Sequence, residues 1–94
     1  MKTQTINPIN TDFNTIETIY NNNVSDVAGY MAALDMFELQ ATQFVGNESF
    51  FCRKSAEEVS LSYDKAKHTT EPYEIYRHAA AAEVWLKTAH ERAY

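Results

Sequence analysis

Three histidines, one cysteine and thirteen carboxylates are the side chains of this chain that could do chemistry. Glu74 and His78 stand four residues apart, a spacing that places both on one face of a helix, where they could hold a metal ion weakly. A surface ion pair or hydrogen bond is the alternative at this spacing. The chain has no Glu-x-x-His sequence, which di-metal sites in helical bundles use. The sequence therefore predicts no metal and no cofactor.

Cys52 is the one thiol and therefore the one candidate cysteine nucleophile. A catalytic cysteine needs a neighbouring base and an electropositive setting. Arg53 and Lys54 follow it directly, but successive residues of a helix point in different directions. Since Cys52 falls on the apolar seam of its predicted helix, we interpret it as a core thiol. A single cysteine cannot form an internal disulfide, which is typical of a reducing compartment, so we expect a cytoplasmic protein.

Glu38 is the carboxylate with the most unusual predicted position. At 100° per residue it falls near Met31 and Val45, on the apolar face of its helix. Because burying an unpaired carboxylate is costly, we expect either a rim position in water or a partly buried pair with a base or tyrosine hydroxyl of another helix. If Glu38, His78 and Trp85 surrounded a pocket, the chain would be a small-molecule- or metal-dependent helical enzyme. That function is our alternative.

We expect helices to position these side chains. The chain has only two glycines and two prolines, the residues that most often interrupt helices. Apolar residues recur at intervals of three and four, as in amphipathic helices. The helices predicted from this spacing and from capping residues are 12–20, 24–45, 48–67 and 72–92. We expect Gly46 to end the second of them in a left-handed conformation.

Long helices joined by short links should pack antiparallel. The predicted fold class is therefore all-α, a small antiparallel helical bundle with three long helices and a short N-terminal helix. Residues 11–94 are expected to form a single domain and residues 1–10 a flexible arm. The N-terminal residues lack the apolar stretch of a signal peptide, and no apolar run approaches the roughly 20 residues of a membrane span. We therefore expect no membrane contact.

Charge is distributed unevenly along the chain, whose formal net charge is −5. Residues 1–50 contain one base, Lys2, against six acids, whereas residues 51–94 contain seven of each sign. Affinity for nucleic acid depends on basic groups that meet phosphates, so direct nucleic-acid binding is not expected. A surface of one sign is attracted to a surface of the opposite sign. The partner that we expect is a protein with a basic surface.

The second predicted helix has a face without charges, which is unusual for a face exposed to water. Small residues let another helix come close, so this face predicts a homodimer or higher oligomer. The residues predicted for self-association are Gly29, Ala33, Met36 and Gln40. The alternative is that the short first helix folds over this face.

The function that we expect is a small acidic protein–protein interaction module without catalysis, either an inhibitor or an adaptor. Aromatic residues often dominate the energy of such contacts, and acids set the choice of partner. The predicted partner-binding residues lie on the first two helices, with the aromatic ones as exposed anchors: Phe13, Glu17, Tyr20, Asp26 and Tyr30. Size, acidity and few glycines are common among accessory proteins of phages and mobile elements, and such an origin is a hypothesis from composition.

Overall fold

The computed structural model describes residues 13–92. Its helices are α1 (Thr15–Asn22), α2 (Val27–Ala41), α3 (Phe50–Lys67) and α4 (Pro72–Glu91), with a 3-10 turn at Thr42–Phe44. No strand occurs in this range, so the predicted all-α class is confirmed. The predicted arm, residues 1–10, lies outside the described residues.

Helices α2 and α3 are antiparallel neighbours. The Ser60 hydroxyl donates a hydrogen bond to the Glu38 carboxylate, and the Tyr63 hydroxyl donates one to Asp35. Later positions on α3 therefore meet earlier positions on α2. This pairing agrees with the predicted antiparallel packing.

Helices α3 and α4 form the most extensive helix pair. The Cys52 thiol near the start of α3 donates to the carbonyl oxygen of Ala89 near the end of α4, at 3.4 Å. Cys52 has no exposed surface, which confirms its interpretation as a core thiol. Ala79 and Ala82 are also fully buried on α4, and their small size lets the two backbones come close.

The large side chains of the core come mainly from α2. Tyr30 and Leu34 have no exposed surface, and neither does Leu86 on α4. Phe37 and Phe44 are almost as deeply buried. Each large apolar side chain contributes about 1.5–3 kcal/mol on full burial, so these residues compensate for the small area that the alanines of α4 bury.

Helix α2 begins later than predicted, with Asp26 as its N-cap. The Asp26 carboxylate accepts a hydrogen bond from the backbone N–H of Gly29 at 2.9 Å. A Cβ atom built on Gly29 would lie 2.4 Å from Oδ2 of Asp26. The glycine therefore leaves room for the capping carboxylate of its own chain.

Replacing Gly29 with alanine should consequently change stability little in the native sequence. Alanine is worth about 1 kcal/mol more than glycine in a helix interior, but the new methyl group displaces the Asp26 cap, which costs about 0.5–2 kcal/mol. In an Asp26→Ala background no cap remains to be lost, and Gly29→Ala should stabilise by about 1 kcal/mol. Urea unfolding of the four proteins measures this coupling. Equal effects in both backgrounds would contradict it.

The end of α2 also differs from the prediction. The α-helix stops at Ala41 and tightens into the 3-10 turn, after which Val45 keeps a right-handed φ of −60°. The Thr42 hydroxyl donates to the carbonyl oxygen of Leu39 at 2.6 Å, which satisfies one acceptor of the last helical turn. No glycine in the described range has a positive φ, so the prediction of a left-handed Gly46 is wrong. The tightened turn ends the helix in its place.

Candidate functional site

Tyr30 was expected as an exposed anchor, and the structure contradicts this. Its hydroxyl donates to the carbonyl oxygen of Val24 at 2.8 Å, and its ring centroid lies 5.8 Å from that of Tyr76 on α4. The Tyr20 ring of α1 also contacts Tyr76, at 4.4 Å between centroids. The prediction is wrong because α4 packs against this side of α2 and leaves Tyr30 no exposed surface.

The other predicted partner-binding residues are largely engaged within the chain. The Phe13 ring lies against the His90 ring of α4, at 5.4 Å between centroids. Asp26 caps α2. Among the five predicted residues, Glu17 alone is classed as exposed, whereas Phe13, Tyr20 and Asp26 are half-buried. The surface of α1 and α2 does not present the expected set of exposed anchors.

The predicted self-association face is divided between the core and the surface. Ala33 is buried, so its placement on an outer contact face is wrong, because this side of α2 turns into the core. Gly29 is half-buried beneath the Asp26 carboxylate. Met36 is 44% exposed and Gln40 is half-buried. Met36 is thus the most exposed member of this set and the one that a second chain could contact without rearrangement of the core.

Helix α1 is held on the bundle by a carboxylate that the sequence analysis did not single out. Glu83 on α4 accepts hydrogen bonds from the backbone N–H of Thr15 at 2.9 Å and of Ile16 at 3.3 Å. These N–H groups begin α1 and have no acceptor inside their own helix. Burial raises the pKa of Glu83, and the two backbone hydrogen bonds partly offset that rise. Glu83 therefore caps α1 from another helix.

Glu38 is half-buried and accepts a hydrogen bond from Ser60 of α3. The expectation of a partly buried carboxylate bonded to another helix is confirmed, but the partner is a serine hydroxyl rather than a base or a tyrosine. The tyrosine hydroxyl of α3, on Tyr63, bonds to Asp35 one turn earlier, and this hydrogen bond raises the pKa of Tyr63. Two carboxylates of α2 are thus held by neutral hydroxyls of α3.

A groove of about 490 Å³ runs along α3 beside these carboxylates. The residues that line it are Val45, Arg53, Ala56, Glu57, Ser60 and Leu61. Those on α3 are spaced by three and four, so they form one stripe about two turns long. Ser60 both lines the groove and donates to Glu38, which places Glu38 at its border. We call the groove lining together with Asp35 and Glu38 the α2–α3 surface.

Arg53 is fixed at one end of the groove. Its Nη1 donates to the carbonyl oxygens of Asn47 and Glu48, both at 2.8 Å. These carbonyls belong to the link before α3, whose N-cap is Ser49. The guanidinium therefore fastens this link against α3 and steadies the position of Val45 in the groove wall.

Large apolar side chains are exposed mainly between residues 36 and 61, and two of them, Val45 and Leu61, line the groove. Those between residues 36 and 61 with 44–72% exposure are Met36, Leu39, Val45, Phe50, Phe51 and Leu61. Residues 35–63 contain five acids and two bases. The groove thus combines exposed apolar side chains with an acidic border.

The chain matches no protein-family model, no curated protein and no solved structure. Within residues 13–92 no group of three or more His, Cys, Asp or Glu side chains is arranged to hold a metal ion. No helix in the same range combines the length and the apolar character that crossing a membrane requires.

The pocket that would favour an enzyme does not assemble in the groove. Glu38 borders it through Ser60, but neither His78 nor Trp85 is among the lining residues. Glu74, the suggested metal-binding partner of His78, forms an ion pair with Arg77 at 3.4 Å. Glu38, His78 and Trp85 are therefore not brought together as a catalytic set around this groove.

His90 on α4 occupies aromatic surroundings. Its ring lies 5.4 Å from that of Phe13 and 5.3 Å from that of Phe44, between centroids. Its Nε2 is buried and has no hydrogen-bond partner among the described residues. Burial lowers the pKa of His90 below its usual 6.5.

The stability contributed by His90 should be lost on acidification. A lowered folded-state pKa gives stability that is present above pH 6.5 and disappears as the pH falls through the folded pKa. Glu83 acts in the opposite sense, because its raised pKa gives stability that grows as the pH falls toward 4.5. His90→Phe should therefore flatten the decline in urea-unfolding free energy as the pH falls below 6.5. If the decline were unchanged in His90→Phe, titratable groups other than His90 would cause it.

Proposed function

We propose that this protein acts by binding another protein through the α2–α3 surface, as an inhibitor or adaptor rather than as a catalyst. The observation that carries the proposal is the groove, whose walls expose the apolar side chains of Val45 (62%) and Leu61 (45%). Apolar side chains scattered singly over a surface need no explanation, whereas their concentration in one region indicates a contact site.

The charges of the α2–α3 surface favour a partner with basic residues. Asp35 and Glu38 are bonded to hydroxyls, so no base of this chain neutralises them through those bonds. Glu57 adds a third carboxylate on the groove wall. Fixed charges of one sign attract and orient a partner of the opposite sign. This surface replaces the predicted one on α1 and α2, where Tyr30 is buried.

A homodimer or higher oligomer remains a separate proposal. Met36 supports it, because it is exposed on the face where self-association was expected. Light scattering of the purified chain at tens of micromolar decides it directly. The binding of another protein does not depend on that result.

Capture from an extract of the producing cells tests the proposed function, provided that matched baits are compared. Val45 on the groove and Val84 on α4 are 62% and 63% exposed, so Val45→Ser and Val84→Ser make equivalent changes on different surfaces. We expect the wild type and the Val84 variant to retain the same protein, and the Val45 variant to retain at least about fivefold less, since a lost apolar anchor costs about 1 kcal/mol or more. Retention should weaken with added salt.

Two outcomes would contradict this proposal. Equal retention on all three baits would remove the α2–α3 surface from the contact. Turnover of a small-molecule substrate by the purified chain, with no partner present, would favour the enzyme alternative.

A further inference from the structure

We infer that the groove along α3 receives an amphipathic helix of the partner, with apolar residues in the groove and Lys or Arg facing Glu57 and Glu38. This inference rests on the proposed function and specifies the kind of segment that the site binds. The partner segment is thus defined by its secondary structure and by two charge contacts.

Other modes of peptide recognition do not fit the groove. An extended peptide needs a free sheet edge, and residues 13–92 contain no strand. A polyproline segment needs aromatic walls, and none of the six lining residues is aromatic. Phosphorylated motifs are bound by clusters of arginine, whereas the groove has one, Arg53, whose Nη1 already donates to two carbonyls. Among these modes, a docked helix is the one that fits the groove.

The dimensions of the groove suit a helix. Its lining on α3 extends from Arg53 to Leu61, about 12 Å at 1.5 Å per residue. That length matches anchors at positions i, i+3 or i+4, and i+7 of a helix laid alongside. Ala56 lines the groove with only 6% exposure, so it offers a low floor over which a backbone can approach. Leu61 and Val45 are the exposed apolar walls.

The charges beside the groove determine which sign of charge a docked helix should carry. Glu57 stands on the wall itself, and Glu38 stands at the border through Ser60. Of the nearby bases, Lys54 is paired with Glu58 at 3.0 Å, and Arg53 at one end of the groove is a single base against the two acids beside it. A helix flanked by acids would meet like charges, whereas one flanked by Lys or Arg would be attracted.

A synthetic helical peptide of leucine and lysine, with leucine at intervals of three and four, is the probe for this inference. Two control peptides accompany it, one with the same composition in scrambled order and one with glutamate in place of lysine. Fluorescence anisotropy with the full chain should show binding of the amphipathic basic peptide and at least about tenfold weaker binding of both controls. Equal binding of the scrambled peptide would reduce the effect to net charge and overturn the inference.

Variants of the chain locate the peptide. Leu61 on the groove and Val84 on α4 are 45% and 63% exposed, so Leu61→Gln should weaken binding at least about fivefold while Val84→Gln, outside the groove lining, leaves it unchanged. Glu57→Gln should weaken binding about two- to fivefold and reduce its salt dependence, because one charge contact is lost. Glu17→Gln, an exposed acid of α1, is the matched control without effect. Loss of binding in the control variants, with Leu61→Gln unaffected, would overturn the inference.

The result separates this inference from the function on which it rests. If the Val45-dependent capture succeeds but the peptide shows no preference, the protein-binding function stands and the docked helix does not. If the peptide binds as expected but no protein is captured through Val45, the groove has the stated preference for a basic amphipathic helix, and the proposed function is contradicted. A dimeric mass that falls to monomer in Leu61→Gln would place a second copy of this chain in the groove and contradict a helix from another protein.

Discussion

Tyr30→Ala should destabilise the protein by about 3–5 kcal/mol, the range for removing a large buried aromatic ring. Tyr30 has no exposed surface, its ring lies against Tyr76, and its hydroxyl donates to Val24. The cavity left behind and the unsatisfied carbonyl of Val24 add to the loss of buried area. For a domain of this size the melting temperature should fall by more than about 12 °C, measured by circular dichroism.

Tyr73→Ala is the matched control, because Tyr73 is 53% exposed on α4. It should cost under about 1.5 kcal/mol, the worth of its ring contact with Tyr76. Tyr30→Phe, which removes only the hydroxyl, should cost about 0.5–1.5 kcal/mol. If Tyr30→Ala left stability intact and removed binding of a partner, Tyr30 would be the contact anchor that the sequence predicted.

Glu83→Leu should release α1 from the bundle and cost about 1–3 kcal/mol. The substitution removes the acceptor of the Thr15 and Ile16 N–H groups at the start of α1. Burial of the Glu83 carboxylate costs free energy, which is why its pKa is raised. Leucine has no charge to desolvate, so the substitution removes this cost and the net loss of stability is smaller. Amide hydrogen exchange should therefore quicken in α1 more than in α3.

Two further variants separate the cap from the charge of Glu83. Glu83→Gln keeps one side-chain oxygen as an acceptor and should cost less than Glu83→Leu. Glu17→Gln, which removes an exposed acid that raises the pKa of Glu83, should change stability by less than about 0.5 kcal/mol. If α1 exchange were unaltered in Glu83→Leu, contacts such as that of Tyr20 with Tyr76 would hold α1 without the cap.

The helices could be predicted because their signals are local. The apolar spacing and the capping residues placed four helices, and Glu71 caps α4 through the N–H of Glu74 at 3.1 Å, just before Pro72. The ends of α2 were less predictable. Its N-cap is Asp26, although neighbouring residues are also polar and could have capped the helix. Its C-terminal end depends on a 3-10 turn, which the spacing of apolar residues does not reveal.

The sequence misled where one residue type serves two purposes. Gly29 and Ala33 indicated a close approach by a second chain, but Gly29 makes room for Asp26 and Ala33 lies in the core. A helical face does not show which of its sides the rest of the chain will cover. Met36, 44% exposed, is the one member of that set that lies on the surface as expected.

Glu38 and Glu83 also show that the sequence does not reveal which groups will pack against a helical face. Glu38 was recognised from its place on an apolar face, whereas the more deeply buried Glu83 was missed. Its position, four residues after Ala79 and three before Leu86, was an available signal of burial. Its partners were not, because backbone N–H groups carry no sequence signature and reach Glu83 only through tertiary packing. The groove likewise depends on how the link at Val45 meets α3.

Amide chemical-shift mapping of the isotope-labelled full chain, titrated with the captured partner, tests the α2–α3 surface most directly. We predict that the largest changes fall on Val45, Arg53, Glu57 and Leu61, with Glu38 beside them. Residues of α1 such as Glu17, and the outer face of α4 around Val84, should change little. Largest changes on α1 and the outer face of α4, with the α3 stripe unmoved, would contradict the account.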